Sequence, residues 1–256
     1  MGADYYDYLL ADRVIVPQAD SRHYSEHIAW LPSYQVNDSR RRVADASLVR
    51  SDEGLPEHAF VFCCFNAPYK ITPEAFERWM RILSACQGSV LWLFSGAAPV
   101  SDNLRREAAA RGIDPGRLIF APRRDHAEYL ARYRLADLFL DTLPYNAGTT
   151  ASDALWAVVP VLTLCGQSFA ARVAASLMHA AGLPELVTHT PEEYVAVATA
   201  LASEPDRLAA LRARLAAGRD TCALFDSRGF TKTLESAYLT MQQRHEAGLA
   251  PENFDA

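Results

Sequence analysis

Residues 138–153 of this 256-residue chain read LFLDTLPYNAGTTASD. Three apolar residues come first, a loop of mostly polar residues follows, and an amphipathic segment begins at Thr149. A short apolar run, a loop and a helix in this order form half of a βαβ unit. We therefore expect a strand at Leu138–Leu140, a helix at Thr149–Ala157, and between them a loop at the carboxyl end of the strand.

The same alternation of short apolar runs and amphipathic segments continues from about residue 59 onward. Strands are predicted at Ala59–Phe65, Val90–Phe94, Leu118–Phe120, Leu138–Leu140, Val161–Leu164 and Leu186–Val187. Helices are predicted at Pro73–Cys86, Asp102–Arg111, Asp125–Arg134, Thr149–Ala157, Ser168–Ala181, Pro191–Leu201, Ser203–Leu215 and Arg228–Glu246. The strands are apolar throughout, as in a sheet covered on both faces. The pattern predicts an α/β fold with a Rossmann-like parallel sheet.

Residues 1–58 do not share this pattern. They hold two short segments, Tyr5–Val16 and His23–Leu31, that read as helix or strand fragments, and then a polar stretch rich in Arg and Asp. We interpret residues 1–58 as an incoming segment and linker, and residues 59–256 as one lobe that ends in helices.

The composition of the chain disfavours several classes of protein. The chain carries 25 Lys and Arg against 31 Asp and Glu, for a net charge of −6, which disfavours a dedicated nucleic-acid binder. No apolar run reaches the ~20 residues of a membrane span, and no secretory signal opens the chain. The five cysteines form no C-x-x-C and have no histidine at a zinc spacing. We expect a cytoplasmic protein without a bound metal.

Ligands of parallel α/β sheets bind beyond the carboxyl ends of the strands, so the loops that follow the strands are candidate sites. The loop Asn66–Lys70 follows the first predicted strand, and its lysine could neutralise a phosphate. Only Lys70 and Lys232 are lysines among the 25 basic residues. The alternative is an ordinary exposed lysine.

A second loop spans residues 121–132. It brings aromatic, imidazole and guanidinium groups together, as Tyr129, His126 and Arg132, and these groups suit a base and a ribose. The alternative is a solvated helix start capped by Asp125.

The third loop is the most informative, because Gly148 precedes two threonines at a predicted helix start. Thr149 and Thr150 offer hydroxyl and backbone N–H groups at the positive end of that helix, which favours an anion. Asp153 lies one turn later and could accept ribose hydroxyls. The alternative is an ordinary N-cap. A fourth loop, Cys165–Ser168 with Arg172 after it, carries a weaker signal.

Missing motifs exclude several nucleotide sites. The chain has no G-x-G-x-x-G, which disfavours NAD and FAD, and no Walker A loop. It also has no D-x-D, which disfavours a diphosphate held through a metal. The loops together predict a metal-free nucleotide site along the carboxyl edge of the sheet.

The residues of these loops, in their order and spacing, resemble the protein O-GlcNAc transferases and their SPINDLY-type relatives, glycosyltransferase family 41. The resemblance covers nearly the whole chain. It is carried by Tyr8–Asp12, Tyr24–Glu26, Phe65–Ile71 (FNAPYKI), Ser89–Leu93, Leu135–Asp137, Leu140–Thr142, Asn146–Asp153 with Leu155 and Trp156, and Arg172–Ser176.

The resemblance implies the C-terminal lobe of a GT-B enzyme. Such an enzyme transfers a sugar with inversion and without a metal, here GlcNAc from UDP-GlcNAc to Ser or Thr of proteins. Lys70 would be catalytic, stabilising the leaving diphosphate, while Thr149 and Thr150 hold phosphate oxygens and Asp153 takes the ribose. The donor-binding residues implied are Asn66, Tyr69, Arg124, His126, Tyr129, Arg132, Gly148, Thr149, Thr150 and Asp153.

The implied partners are the nucleotide sugar, which is a substrate and not a cofactor, a protein acceptor, and the N-terminal catalytic lobe and tetratricopeptide repeats of a longer protein. None of those repeats is found in this chain. The chain is thus expected to be the donor-binding lobe with a linker, as a fragment or a natural short form.

Four positions depart from the animal enzymes: Ala67 replaces Gln, His126 replaces Lys, Tyr129 replaces His and Gly148 replaces His. They leave GDP-fucose open as the donor, as in some SPINDLY members. Two further alternatives remain: a nucleotide-sugar-binding module without activity, and a UDP-sugar epimerase or hydrolase, which would need a carboxylate pair.

Overall fold

The computed structural model describes residues 2–45 and 48–256. The strands are β1 (Tyr8–Ala11), β2 (His27–Trp30), β3 (Val61–Cys64), β4 (Val90–Phe94), β5 (Leu118–Ala121), β6 (Leu138–Leu140), β7 (Val161–Leu164), β8 (Val187–Thr188) and β9 (Phe254–Asp255). The helices are α1 (Pro73–Ala85), α2 (Ala98–Ala110), α3 (His126–Arg132), α4 (Thr149–Trp156), α5 (Val173–Ala180), α6 (Pro191–Ser203), α7 (Pro205–Gly218) and α8 (Ser227–Glu246). Over these two ranges, no helix has both the length and the apolar character needed to cross a bilayer.

The main sheet has six strands in the order β5-β4-β3-β6-β7-β8, and every neighbouring pair is parallel. The predicted α/β fold with a Rossmann-like parallel sheet is confirmed. Strands β3, β6 and β7 are buried along their whole length, because helices cover both faces of the sheet. In the centre, Cys63 pairs with Trp92 on one side and with Phe139 on the other.

The order of the strands reverses beside β3. The chain runs outward from β3 to β5, returns to β6 on the other side of β3, and then runs outward to β8. In open α/β sheets, ligands bind in the crevice outside the carboxyl ends of the strands at such a switch point. The loops after β3 and β6 are the ones that hold Lys70 and the threonine pair.

Buried side chains of helices α1 and α6 support the loop after β6 from the core of the protein. Trp79 of α1 and Tyr194 of α6 are fully buried, and their polar atoms lie 3.4 Å apart. The Tyr194 hydroxyl also donates to the main-chain carbonyl of Asp141 at 3.0 Å, directly after β6. The loop after β6 is therefore held by the core beneath it.

Two helix starts differ from the sequence prediction by more than two residues. Helix α2 begins at Ala98 and not at Asp102, because Pro99 lies in its first turn, where a missing N–H costs no hydrogen bond. Helix α5 begins at Val173, after a 3-10 turn over Phe169–Ala171.

A second, smaller sheet was not predicted. It consists of three parallel strands in the order β1-β2-β9, so a strand from beyond α8 joins two strands from the beginning of the chain. The Ile28 amide donates to Asn253 Oδ1 at 2.7 Å, and the Arg13 guanidinium contacts both carboxylate oxygens of Asp255 at 2.7 Å. At two residues, β9 is too short to show a pattern in the sequence.

The start of α6 offers a test of local stability. The Thr190 hydroxyl accepts from the Glu193 amide at 3.1 Å, and the Glu193 carboxylate accepts from the His189 amide at 2.7 Å. Removing the first of these bonds in Thr190→Ala is expected to lower the free energy of unfolding by about 1 kcal/mol. Denaturant melts of Thr190→Ala and of Thr190→Ser check this, and equal losses in both variants would contradict a capping role for the hydroxyl.

Candidate functional site

The loops after β3 and β6 meet through a buried asparagine. Asn66 donates its amide Nδ2 to Thr142 Oγ1 at 2.8 Å, and its Oδ1 accepts from the hydroxyl of Thr150. One side chain thus joins the end of β3, the loop after β6 and the start of α4. The predicted donor-binding residue Asn66 lies at the junction of the crevice, where it orients the threonine.

Lys70 lies in the loop after β3, at the end of a 3-10 turn over Pro68–Lys70. Its Nζ donates to the Asn146 carbonyl at 2.9 Å and stands 3.8 Å from the ring centroid of Tyr145. Partial burial lowers the pKa of the ammonium, and the nearby carboxyl of Asp141 opposes that shift. The ammonium is therefore held beside the loop after β6 by one hydrogen bond and one ring contact. An anion that binds there could replace these contacts.

The carboxyl group of Asp141 organises the loop after β6. One of its oxygens accepts from the amides of Thr142 and Ala147, each at 2.7 Å, and the other accepts from Thr163 Oγ1 at 2.7 Å. Burial raises its pKa to about 7, against the lowering effect of these hydrogen bonds. Both ends of a tight loop are thus tied to one acidic group.

Helix α4 begins at Thr149, as predicted, with Gly148 as its N-cap. The first amides of a helix have no partner within it, so those of Thr149 and Thr150 are available as donors at the end of the loop after β6. Gly148 has a φ of −103°, and a Cβ there would meet only Val173, at 3.7 Å. The left-handed freedom of glycine is therefore not used at this position.

His126 and Tyr129 form the side of the crevice near α3. Their rings stack with centroids 6.1 Å apart, and the Tyr129 hydroxyl lies 2.6 Å from that of Tyr133. Tyr133 in turn donates to the Thr150 carbonyl at 3.2 Å, which ties α3 to the start of α4. The His126 side chain is 59% exposed and open to a ligand.

Arg124 and Arg132 are turned toward a buried glutamate. Glu53 forms an ion pair with Arg124 at 2.9 Å and accepts a hydrogen bond from Arg132 at 3.4 Å, and Arg132 also donates to the Pro122 carbonyl at 2.7 Å. The Arg132 side chain is 1% exposed, so it braces the loop from behind. The expected contact of these arginines with a base stays a prediction.

Asp153 is buried and pairs with an arginine that the sequence analysis did not select. Arg41 donates to Asp153 Oδ1 and, at 2.8 Å, to Ser152 Oγ. His126 Nε2 lies 3.8 Å from the same carboxylate oxygen. Burial raises the pKa of Asp153, and the charges of Arg41 and His126 lower it.

The remaining candidates lie at the margins. Tyr69 is 75% exposed, with its ring 6.4 Å from that of Tyr145 at the mouth of the crevice. Arg172 donates to the Gly166 carbonyl at 3.1 Å and pairs with Asp20 at 2.6 Å. No group of three or more His, Cys, Asp or Glu residues in the described part of the chain is placed to hold a metal ion.

Arg41, Glu53 and Asp141 are the residues that sequence reasoning missed. The first two come from the stretch interpreted as a linker, where many charges lie close together and no pattern separates one from another. Asp141 is different, because it directly follows an apolar strand, and a carboxyl group at that position is a usable signal.

Comparisons with known proteins point to one family. The model of the family described as glycosyl transferase family 41 matches residues 43–234. A probable UDP-N-acetylglucosamine–peptide N-acetylglucosaminyltransferase of Arabidopsis thaliana is 40% identical over 99% of this chain and 27% of its own length. A similarly named probable enzyme of Petunia hybrida, SPINDLY, is 31% identical over 96% of this chain and 26% of its own length.

A solved structure agrees in fold. A mutant of the O-GlcNAc transferase of Thermobaculum terrenum superposes with a TM-score of 0.81 and 33% identity, over 92% of this chain and 45% of that one. The chain spans about a quarter of the length of these two curated relatives.

Proposed function

The chain belongs to glycosyl transferase family 41, and from this premise we propose that it is the donor-binding lobe of an inverting protein O-glycosyltransferase. The enzyme would move GlcNAc from UDP-GlcNAc to Ser or Thr of proteins without a metal. The observation that carries this proposal is the contact of Lys70 with the carbonyl of Asn146, which lies just before the first turn of α4, at the switch point of the sheet.

A leaving diphosphate needs positive charge that is already in place. Lys70 supplies a full charge from one side of the crevice, and the amides of Thr149 and Thr150 supply the positive end of a helix from the other. Asn66 orients the Thr150 hydroxyl, and Asp141 holds the loop that carries Asn146, the carbonyl partner of Lys70. This arrangement would do the work that a metal ion does in other transferases.

The nucleoside would lie toward α3. The ring of Tyr129 is stacked with His126 beside the carboxylate of Asp153, so a base has an aromatic neighbour and a ribose has an acceptor. The sugar and the acceptor hydroxyl would then point away from α4, toward the N-terminal lobe and the peptide that this lobe helps to bind.

Calorimetric titration tests the proposal. The purified chain is titrated with UDP, UDP-GlcNAc, GDP and GDP-fucose in buffer with a chelator. We expect UDP and UDP-GlcNAc to bind and the guanine nucleotides to bind at least tenfold more weakly. Selective binding of GDP would shift the proposal to fucose transfer, and binding of none of the four would contradict a donor site in this lobe.

A second assay separates the enzyme from a binding module. A two-lobe protein in which this chain supplies the proposed donor-binding lobe is incubated with UDP-GlcNAc and a Ser/Thr peptide, and the products are analysed by mass spectrometry. Glycosylated peptide supports the proposal. Donor binding without any transfer supports a non-catalytic module, and an epimerised or free sugar formed without acceptor supports an epimerase or hydrolase.

A further inference from the structure

Arg41 comes from the segment between the two sheets, yet it lies against the ribose side of the crevice. Its Nε donates to the Asp38 carbonyl at 3.0 Å, one terminal nitrogen donates to Asp153 Oδ1, and the other donates to Ser152 Oγ at 2.8 Å. All three nitrogens are engaged, and only 8% of the side chain is exposed. The guanidinium is therefore oriented by the protein itself.

The backbone around Arg41 is fixed as well. Trp156 Nε1 donates to the Arg41 carbonyl at 3.3 Å, and the Ala44 amide donates to the Ala127 carbonyl at 3.0 Å. These bonds tie the segment to α4 on one side and to α3 on the other. Arg41 is thus built into the same frame that carries His126 and Asp153.

The carboxylate of Asp153 has one engaged oxygen and one open oxygen. Arg41 and His126 both contact Oδ1, whereas Oδ2 accepts no hydrogen bond from any residue that the structure describes. A carboxylate this buried stays charged only if a partner compensates for its lost hydration. The paired guanidinium supplies that compensation and leaves Oδ2 as an acceptor for hydroxyl groups.

We propose that Arg41 is a positioning residue that holds the Asp153 carboxylate charged and oriented so that Oδ2 receives the hydroxyls of a ribose. The site then selects ribonucleoside diphosphates over their deoxy forms. This inference rests on the proposed function, in which Asp153 faces the ribose. It assigns the selectivity to a residue that lies outside the loops of the six-stranded sheet.

The test compares two ligands that differ only in the ribose hydroxyls. UDP and 2′,3′-dideoxy-UDP are titrated by calorimetry into the wild-type chain and into Arg41→Met, Arg41→Lys and Arg40→Met. Arg40 is the matched control, because it comes from the same segment and its side chain is 92% exposed. Guanidinium–carboxylate pairs are geometrically specific, so lysine should restore only part of the effect.

In Arg41→Met, the dissociation constant for UDP is expected to rise at least tenfold, while that for dideoxy-UDP changes less than twofold. Arg41→Lys should be intermediate, and Arg40→Met should match the wild type. An equal loss for both ligands, or no loss for UDP, overturns the inference. If Arg41→Met does not fold by circular dichroism, the same comparison is made with Arg41→Lys.

The failure of this inference can be told apart from failure of the proposed function. A wild-type chain that binds UDP well but shows no Arg41-dependent preference for ribose overturns only the inference. If the wild-type chain prefers GDP, the same titrations of the wild type and the variants are made with GDP and 2′,3′-dideoxy-GDP. A wild-type chain that binds neither nucleotide overturns both.

Discussion

In the proposed two-lobe transferase, Lys70→Ala is expected to reduce the rate of sugar transfer about 10²- to 10³-fold, the range seen when one preorganised donor to a developing anion is lost. The ammonium carries a full positive charge and lies beside the loop after β6, at 2.9 Å from the Asn146 carbonyl. Because the charge on the diphosphate grows as the bond to the sugar breaks, the loss should appear mainly in kcat. The measurement is steady-state transfer to a peptide.

The matched control is Lys232→Ala, which removes the other lysine of the chain from an exposed position on α8. It should transfer at the wild-type rate. Circular dichroism and thermal melts show whether Lys70→Ala stays folded. A folded Lys70→Ala that turns over like the wild type would remove Lys70 from the catalytic role.

Asp141→Ala is expected to destabilise the fold by about 3 kcal/mol or more. It would leave the amides of Thr142 and Ala147 and the hydroxyl of Thr163 without an acceptor in a buried place, and each unsatisfied donor costs about 1–3 kcal/mol. The matched variant is Asp141→Asn, whose carbonyl oxygen still accepts from both amides while its NH₂ group can donate to the Thr163 hydroxyl. Urea melts of the three proteins measure the difference.

The difference in stability between the wild type and Asp141→Asn is expected to depend on pH. Burial raises the pKa of Asp141 from 3.8 to about 7. Between these two values the folded protein holds a proton that the unfolded chain has lost, so this group makes the wild type less stable as the pH rises. Asp141→Asn has no such proton. As the pH rises from 3.8 to about 7, the free energy of unfolding of Asp141→Asn should therefore increase relative to that of the wild type by about 1.4 kcal/mol per pH unit.

Above pH 7 the difference in the free energy of unfolding between Asp141→Asn and the wild type should stay constant. Asp141 is then ionised in both the folded and the unfolded wild type. A difference that does not change between pH 4 and pH 7 would show that Asp141 is ionised in the folded protein throughout. Parallel urea melts at half-unit intervals of pH decide between the two results.

Most of the sheet could be predicted because its central strands are short, almost wholly apolar runs that alternate with amphipathic segments. The Thr72–Pro73 and Thr190–Pro191 signals give the starts of α1 and α6 correctly. Strand β9 could not be predicted, since two residues carry no period and their partner strand β2 lies at the other end of the chain.

Some residues of the candidate site could likewise be predicted from the sequence, and others could not. Lys70 and the threonine pair stand out from the sequence because their loops follow strands, and the structure brings those loops together. The partners of Asp153 and Arg132 do not stand out, because an ion pair is made by three-dimensional proximity. Arg41 and Glu53 lie 112 and 79 residues away from the side chains they contact.

The return of β9 to the small sheet also sets an order of events during synthesis. Ile28 and Asn253, which are joined by a hydrogen bond, are separated by 225 residues. On the ribosome, β1 and β2 emerge before the main sheet, but they have no third strand until all six strands of that sheet and α8 have been made. Contacts between such distant segments form late, because a long loop must close first. The main sheet can therefore assemble during translation, whereas the small sheet is completed only after it.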